Sequence, residues 1–404
     1  MKQGWEIKRL EDAVEFQRGL TYSKKDEVDF SDNIVLRSNN VDLIKNELDF
    51  TELKYINPAI EVQESKKVKK GSLLICTANG SKSHLGKVAL IDDDYNYAFG
   101  GFMGQVTPKE NLDSKFLFYL MTSDNYKKFI NELSDGANIN NLKFSDLGQF
   151  EIPLPPLSEQ QRIVSILDEA FAAIAKAKAN AEQNLKNAKE LFESYLQGVF
   201  ENGKWEMKTI AMVCDEIFAG GDAPKDNYSL EPNEKHNIPI YANAVKDRGL
   251  YGYTDFARVT KPCVTIAARG SGTGHTELRN EYFLPIVRLI VCIPDTSQIS
   301  TEFLKYTIDN LVIQRSGSAI PQLTVPMIKD YKIPVPSIEE QKLIIEKAET
   351  LKQQKENLES VYLKKIEGLE ELKKSILQKA FSGQLSESGL AGLKDEQDFN
   401  KATV

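Results

Sequence analysis

Ile152-Pro153-Leu154-Pro155-Pro156-Leu157-Ser158-Glu159-Gln160-Gln161 occurs twice in this chain, the second time as Ile333-Pro334-Val335-Pro336-Ser337-Ile338-Glu339-Glu340-Gln341-Lys342. The offset is 333 − 152 = 181, and it holds without a gap to Leu196-Gln197 and Phe200, matched by Leu377-Gln378 and Phe381. A repeat that keeps register this long is a structural unit. The prolines keep each copy extended. Beyond them, Ser158 with Gln161 and Ser337 with Glu340 have capping-box spacing, so each copy predicts a helix start. The first helix carries a seam of Ile163, Leu167, Ala170, Ile174, Leu191 and Tyr195. The second carries Ile344, Leu351, Leu358, Leu369, Leu372 and Ile376. Steps of three and four, interrupted at Asn184, Lys355 and Lys365, are a coiled-coil pattern. Glu159 to Phe200 is 42 residues, so a straight helix there would span roughly 63 Å. Two such helices in one chain pack most simply on each other, antiparallel.

The repeat extends outward from the helices. Trp5-Glu6-Ile7-Lys8 opens one half and Trp205-Glu206-Met207-Lys208 the other, an offset of 200. Ala78-Asn79-Gly80-Ser81 and Ala268-Arg269-Gly270-Ser271 match at 190, and Gly136-Ala137-Asn138-Ile139 and Gly317-Ser318-Ala319-Ile320 at 181. The ends of the halves agree while the interiors diverge, so one scaffold carries two different surfaces. Short apolar runs such as Leu73–Cys76 and Cys263–Ala267 precede Gly-rich loops, and amphipathic segments begin near Lys115 and Thr301. This predicts two mixed α/β domains with strands and helices in each. The expected order is a first domain over 1–157, a long helix over 158–203, a second domain over 204–336 and a second helix over 337–382. A polar tail follows over 383–404.

Composition bounds the function. No apolar run approaches the ~18 residues of a membrane span, and no signal-peptide pattern opens the chain, which predicts a cytoplasmic protein. The four cysteines lack metal-ligand spacing and read as reduced core thiols. Net charge is −8, with −4 over 1–157 (20 Lys/Arg, 24 Asp/Glu) and −1 over 205–338 (14 against 15). DNA-binding domains acting alone are usually basic, so this chain by itself should bind DNA weakly.

The proline-led helix starts, repeated once at about 180 residues behind Trp-Glu-x-Lys openings, resemble the specificity (S) subunits of type I restriction–modification systems. The resemblance covers Trp5 to about Leu385. It implies two target-recognition domains, each reading one half of a bipartite, asymmetric DNA target. The paired helices would space these domains and dock two methyltransferase subunits, with restriction subunits joining that core. It further implies no catalytic residues and no cofactor in this chain; S-adenosylmethionine, ATP and Mg²⁺ would belong to the partners. An approximately two-fold reader suits half-sites about one DNA turn apart, roughly 34–36 Å.

DNA contacts are expected in the divergent interior loops. The first half offers Arg37, Asn39, Asn40, Asn79, Ser81, Lys82, His84 and Lys87; the second offers Asn243, Arg248, Tyr251, Arg269, Ser271, Thr273, His275 and Arg279. Arginine suits guanine edges and asparagine adenine edges; ordinary surface turns would have the same composition. Gly270–Thr276 lacks the lysine of a phosphate-binding loop, His275 standing at that position. Capping accounts for Gln161 but not for Gln160 or Gln341, which are therefore candidates for docking a partner. Three other readings are weighed. A single-chain methyltransferase or nuclease would need motifs and space that the two repeats do not leave. A coiled-coil adaptor unrelated to DNA would have no need of divergent heads. A specificity subunit for a fused nuclease–methyltransferase stays open.

Overall fold

The structure is a computed structural model that describes residues 4–135, 141–270, 272–311 and 322–385. The turns expected at 136–139 and 317–320, Ser271, and the tail beyond 385 lie outside the described residues. The chain forms two compact units. One comprises Met1–Ala181 with Lys364–Val404, the other Glu182–Leu363. Each long helix therefore contributes one part to each unit.

In the first unit a four-stranded antiparallel sheet has the order Val14–Arg18, Met103–Pro108, Leu73–Cys76, Val88–Leu90. Leu73–Cys76 is buried on both faces, as an uninterrupted apolar run requires. A second sheet orders Glu27–Val28, Lys54–Ile56, Ile34–Leu36 and Ala98–Phe99, the last pair running parallel. Glu6–Arg9 pairs with Glu151–Leu154, which delivers the chain to the first long helix. The helix Ser114–Leu120 is capped by Asp113, whose carboxylate accepts from the amides of Lys115 and Phe116. Its Phe116 and Leu117 pack in one core with Leu73, Ile75, Ile152, Ile163 and Leu167. Leu377 and Ala380, from the end of the second long helix, complete that core.

The second unit repeats the topology. Cys214–Ala219, Ile290–Pro294, Cys263–Ile266 and Thr276–Arg279 form the four-stranded sheet. Leu250–Thr254, Ile238–Tyr241 and Leu284–Pro285 form the second sheet, again closed by a parallel pair. Glu206–Thr209 pairs with Lys332–Val335. The first unit differs by one added edge strand, Glu27–Val28.

The long helices are Leu157–Asn202 and Ile338–Phe381. Ser337 makes the expected capping box: its Oγ accepts from the Glu340 amide at 3.3 Å, and its own amide donates to Glu340 Oε2 at 2.9 Å. The first helix departs from expectation. It begins at Leu157, with Pro156 supplying the carbonyl for the Glu159 and Gln160 amides. Ser158 is thus already inside the helix, and proline stands where the second copy has its capping serine. Within each unit the helical segments run antiparallel. Lys178 meets Glu370 at 2.6 Å in one, and Lys189 meets Glu359 at 4.0 Å in the other. Ile163, Leu167, Ala170, Ile174 and Leu369 are buried as a seam requires. Tyr195, Ile344, Leu351, Leu372 and Ile376 are half-buried. Two seam positions fail: Leu191 is 61% exposed and Leu358 40% exposed. The seam steps from Ala188 by four, not three, to Phe192, whose ring lies under Lys355 Nζ at 5.5 Å. A lysine over an aromatic face packs here, and Lys355 is one of the positions where the pattern is interrupted.

Candidate nucleic-acid interface

In the first unit an open groove of about 750 Å³ lies where the ends of the strands Ile34–Leu36 and Leu73–Cys76 meet the Gly100-Gly101-Phe102 turn. Arg37, Asn39 and Asn79 line it, together with Tyr22, Lys24, Glu27 and Phe102. The Asn79 side chain crosses between the two loops, donating to Ser38 Oγ at 2.9 Å and accepting from the Ser81 amide at 2.9 Å. Arg37 is held by its backbone, its amide donating to Asn40 Oδ1 at 2.8 Å. Its Nε is buried without a hydrogen-bond partner. Burial, then the neighbouring Glu27 carboxylate, raises the Tyr22 hydroxyl above its ordinary pKa, so it stays a neutral donor. Phe102 is 73% exposed, while its carbonyl accepts from the amides of Thr77 and Ala78 and fixes the turn. Phe102, Tyr22 and Lys24 were not among the expected residues; the Gly100-Gly101-Phe102 turn is the signal in the sequence that could have found them.

Several expected contacts in this unit are interior instead. Asn40 is buried, and its amide nitrogen donates to the carbonyls of Asp49 and Glu52. Lys87 is buried; its ammonium donates to Val41 O at 2.7 Å and meets His84 Nδ1 at 3.0 Å. Burial lowers the pKa of both His84 and Lys87, and the Lys87 charge lowers that of His84 further. Ser81 and Lys82 are exposed on the adjoining turn.

In the second unit Asn243 makes the corresponding crossing. Its Nδ2 donates to Arg269 O at 2.8 Å, and its Oδ1 accepts from the amides of Ala268 and Arg269. Arg269 is exposed. Arg248 is committed within the protein, bonding Glu277 Oε2 at 3.0 Å and Leu278 O at 2.7 Å. It and Asp247 occupy left-handed backbone (φ 53° and 50°), a conformation side chains adopt only when the surroundings enforce it. His275 bonds the other Glu277 oxygen at 3.0 Å. Burial pushes Glu277 up, but the Arg248 and His275 hydrogen bonds outweigh it and hold the carboxylate below its ordinary pKa. Arg279 is a correction: only 1% exposed, it stacks on Tyr241 at 3.6 Å and donates to Arg248 O and Thr265 Oγ1. Thr273 is also buried, bonding Gly270 O at 2.7 Å. Tyr251 is 40% exposed beside Tyr228.

The glutamines expected to dock a partner are fully buried. Gln160 Oε1 accepts from the Asp113 amide at 2.8 Å, and its Nε2 donates to Asn111 O at 2.9 Å and Pro155 O at 2.8 Å. Gln341 repeats all three bonds, with Ser300 N, Gln298 O and Pro336 O. Both tie the start of a long helix to a loop of its own head. Each side chain answers three backbone groups, and with both N–H donors used and the residue buried it presents no donor to a partner.

The backbone bonds also correct the repeat's register. The Leu142 amide donates to Thr77 O, and the Leu323 amide to Ala268 O. Since Leu142 and Leu323 are 181 apart, Thr77 corresponds to Ala268 and the offset here is 191, one more than the matching letters suggested.

The family model for the type I restriction modification DNA specificity domain matches residues 2–186 and again 202–368. The chain belongs to that family. As a specificity-domain protein it is 33% identical over 207 residues to the type I restriction enzyme EcoKI specificity subunit of Escherichia coli, covering 50% of this chain and 44% of that one. It thus spans about half the length of that relative. A putative type I specificity subunit of Mycoplasma pneumoniae is 32% identical over 58% of this chain and 72% of its own. Two solved structures share the fold. A chain of a type I R-M system aligns with TM-score 0.73 at 21% identity over 95% of this chain and 99% of its own. The HsdS subunit of Thermoanaerobacter tengcongensis aligns with TM-score 0.64 at 20% identity over 95% and 98%. Two mixed α/β domains joined through two long helices are therefore this chain's architecture. Among the described residues no group of three or more His, Cys, Asp or Glu is placed to hold a metal ion, and no helix is long and apolar enough to cross a membrane.

Proposed function

We propose that this specificity subunit reads double-stranded DNA for a type I restriction–modification complex, each head taking one half of a bipartite, asymmetric target. The observation that carries the reading is duplication of the scaffold without duplication of the loops. Both heads share the order of the four-stranded sheet and the helix-start glutamine, and in both an asparagine crosses the same pair of loops, though from opposite sides. Beside those shared bonds the loops differ in length, charge and backbone conformation, as two different half-sites require. Segments of long helix between the heads act as the spacer, and their exposed faces dock two methyltransferase subunits, to which restriction subunits bind. The chain contributes recognition, not catalysis; S-adenosylmethionine, ATP and Mg²⁺ act in the partners, and the complex works on cytoplasmic DNA. At net charge −8 the subunit alone has little attraction for phosphates, so the bound methyltransferases supply the positive clamp.

The test is to co-express the chain with a matching methyltransferase subunit and map modified adenines across a genome by single-molecule sequencing. Two short defined blocks around a fixed gap are expected. Exchanging residues 205–332 for another family member's second head should then change one block only. A co-purifying, catalytically competent complex that marks no motif would overturn the reading and leave the helices as those of an adaptor.

A further inference from the structure

The two heads place one arginine each on opposite members of the same pair of loops. The Gly100 amide donates to Leu36 O in the first unit, and the Ile286 amide to Tyr241 O in the second, each continuing the equivalent parallel strand pair. Leu36 therefore corresponds to Tyr241, and Arg37 to Ala242. On the partner loop, Ala78 bridges Asn141 and Arg269 bridges Gln322, so Ala78 corresponds to Arg269. Where one head has arginine and alanine, the other has alanine and arginine. The loops are the same pair in both, because Asn79 bonds Ser38 in one unit and Asn243 bonds the Arg269 carbonyl in the other.

Neither guanidinium is bonded within its head, although the Arg37 charge acts at longer range on the Glu27 carboxylate, helping the Lys54 hydrogen bond to hold it below its ordinary pKa. Arg37 lines the groove with its Nε buried and unbonded, and Arg269 is exposed. Among the described residues neither guanidinium makes a hydrogen bond or ion pair. The other arginines of the same region, Arg248 and Arg279, are bonded to Glu277, Leu278, Thr265 and the Arg248 carbonyl. An arginine left unpaired beside a rigid, asparagine-tied loop has the geometry for bidentate recognition of guanine O6 and N7, the pairing that distinguishes one base pair from the other three.

Resting on the DNA-reading function proposed above, we infer that each head reads one guanine with one arginine, Arg37 in the first and Arg269 in the second. The guanidinium reaches its base from opposite loops in the two heads, which makes the half-sites differ although the scaffold is common. Each block of the target then contains at least one G·C pair.

The experiment maps adenine modification by the whole complex carrying Arg37→Ala, Arg37→Lys, Arg269→Ala or Arg269→Lys. Both Arg37 variants should relax one guanine position in one block, with about a 5- to 150-fold loss of discrimination there, and leave the other block intact. The Arg269 variants should do the same to the other block. Lysine should not restore discrimination, because it cannot form the planar two-point contact. An unchanged motif in either pair overturns the assignment. So does full discrimination by the lysine variants with only a shifted salt dependence, which marks a phosphate contact. A folded variant that weakens all positions of both blocks equally overturns it too. Arg269 is exposed, so its variants test the idea even where substitution of Arg37 impairs folding. A wild-type complex with no split motif defeats the parent reading; a wild-type motif untouched by these substitutions defeats only the arginines.

Discussion

Replacing Gln160 by alanine should unfold the first unit early and leave the second unchanged, and Gln341→Ala should do the reverse. Each glutamine is fully buried and makes three hydrogen bonds of 2.8–2.9 Å to backbone groups. Each neutral bond contributes about 1 kcal/mol, and removal leaves one N–H and two carbonyls without a partner, so the expected loss is about 3 kcal/mol. For a unit of roughly 200 residues, that corresponds to a fall in melting temperature of about 6–12 °C. The chain has two tryptophans, one in each unit. Trp5 packs against the first core, and Trp205 lies 3.4 Å from Glu340 in the second. Fluorescence melting of Gln160→Ala in a Trp205→Phe background reports the first unit, and in a Trp5→Phe background the second. The double glutamine variant should lose the sum of the two effects within about 0.5 kcal/mol, since the two residues belong to different units. A melting point unchanged within about 1 °C, together with loss of methyltransferase co-purification, would refute this reasoning and return the glutamines to a docking role.

Three further outcomes follow from the same packing. Ser337→Ala should destabilise the second unit alone by about 1 kcal/mol, the usual effect of losing an N-cap, measured as a shift in the Trp205 melting curve; the first helix has proline at that position. Leu377→Ala should destabilise the first unit by about 2–5 kcal/mol, because this residue from the second long helix is buried in the same core as Ile163 and Leu167; a shift in Trp205 instead of Trp5 would contradict it. The third concerns pH. Burial and then the Lys87 charge hold the His84 pKa below its ordinary 6.5. Its contribution is therefore complete above 6.5 and is lost as pH falls through the lower folded value. Denaturation followed by Trp5 between about pH 7.5 and 5.5 should show stability declining with acid, and His84→Gln should flatten the decline.

The long helices were legible because their signals are local: prolines before the start, capping spacing at Ser337, and seams three and four residues apart. Where the seam failed, at Leu191 and Leu358, the deciding partner was remote in sequence, since Phe192 packs under Lys355. The same limit governed the site. Arg37, Asn79 and Arg269 could be selected because loops with polar residues and no apolar face invite ligands. Asn40, Lys87 and Arg279 have the same chemistry but lie inside, and their interior partners come from elsewhere in the chain: Asp49 and Glu52, Val41, and Tyr241. Residue type cannot separate a polar group serving a loop's own backbone from one facing solvent. Gln160 and Gln341 illustrate this most sharply. Their repetition marked them as significant, but the loops they hold, near Asn111 and Gln298, return only on folding. The shift from 190 to 191 has a similar cause, since Ala-x-Gly-Ser matches by letter while the carbonyls of Thr77 and Ala268 fix the true correspondence.

The division between repeated and unrepeated bonds bears on how such a chain can change its target. The glutamine anchors, the capped helices after Asp113 and Ser300, the outer ribbons and the order of the main sheet recur in both heads. Arg37 and Arg269 take part in none of them through their side chains. Loss of either guanidinium therefore removes no scaffold hydrogen bond, whereas loss of Gln160 removes three. Recognition can then vary by single substitutions at these loop positions at little expense in stability, while the anchors stay under strict constraint. The two classes of variant should separate accordingly: arginine variants altering the modified motif at an unchanged melting temperature, and glutamine variants lowering the melting temperature with the motif intact wherever the complex still forms. If the arginine variants also melted early, the recognition loops would be part of the scaffold, and exchange of the whole head would be the only route to a new specificity.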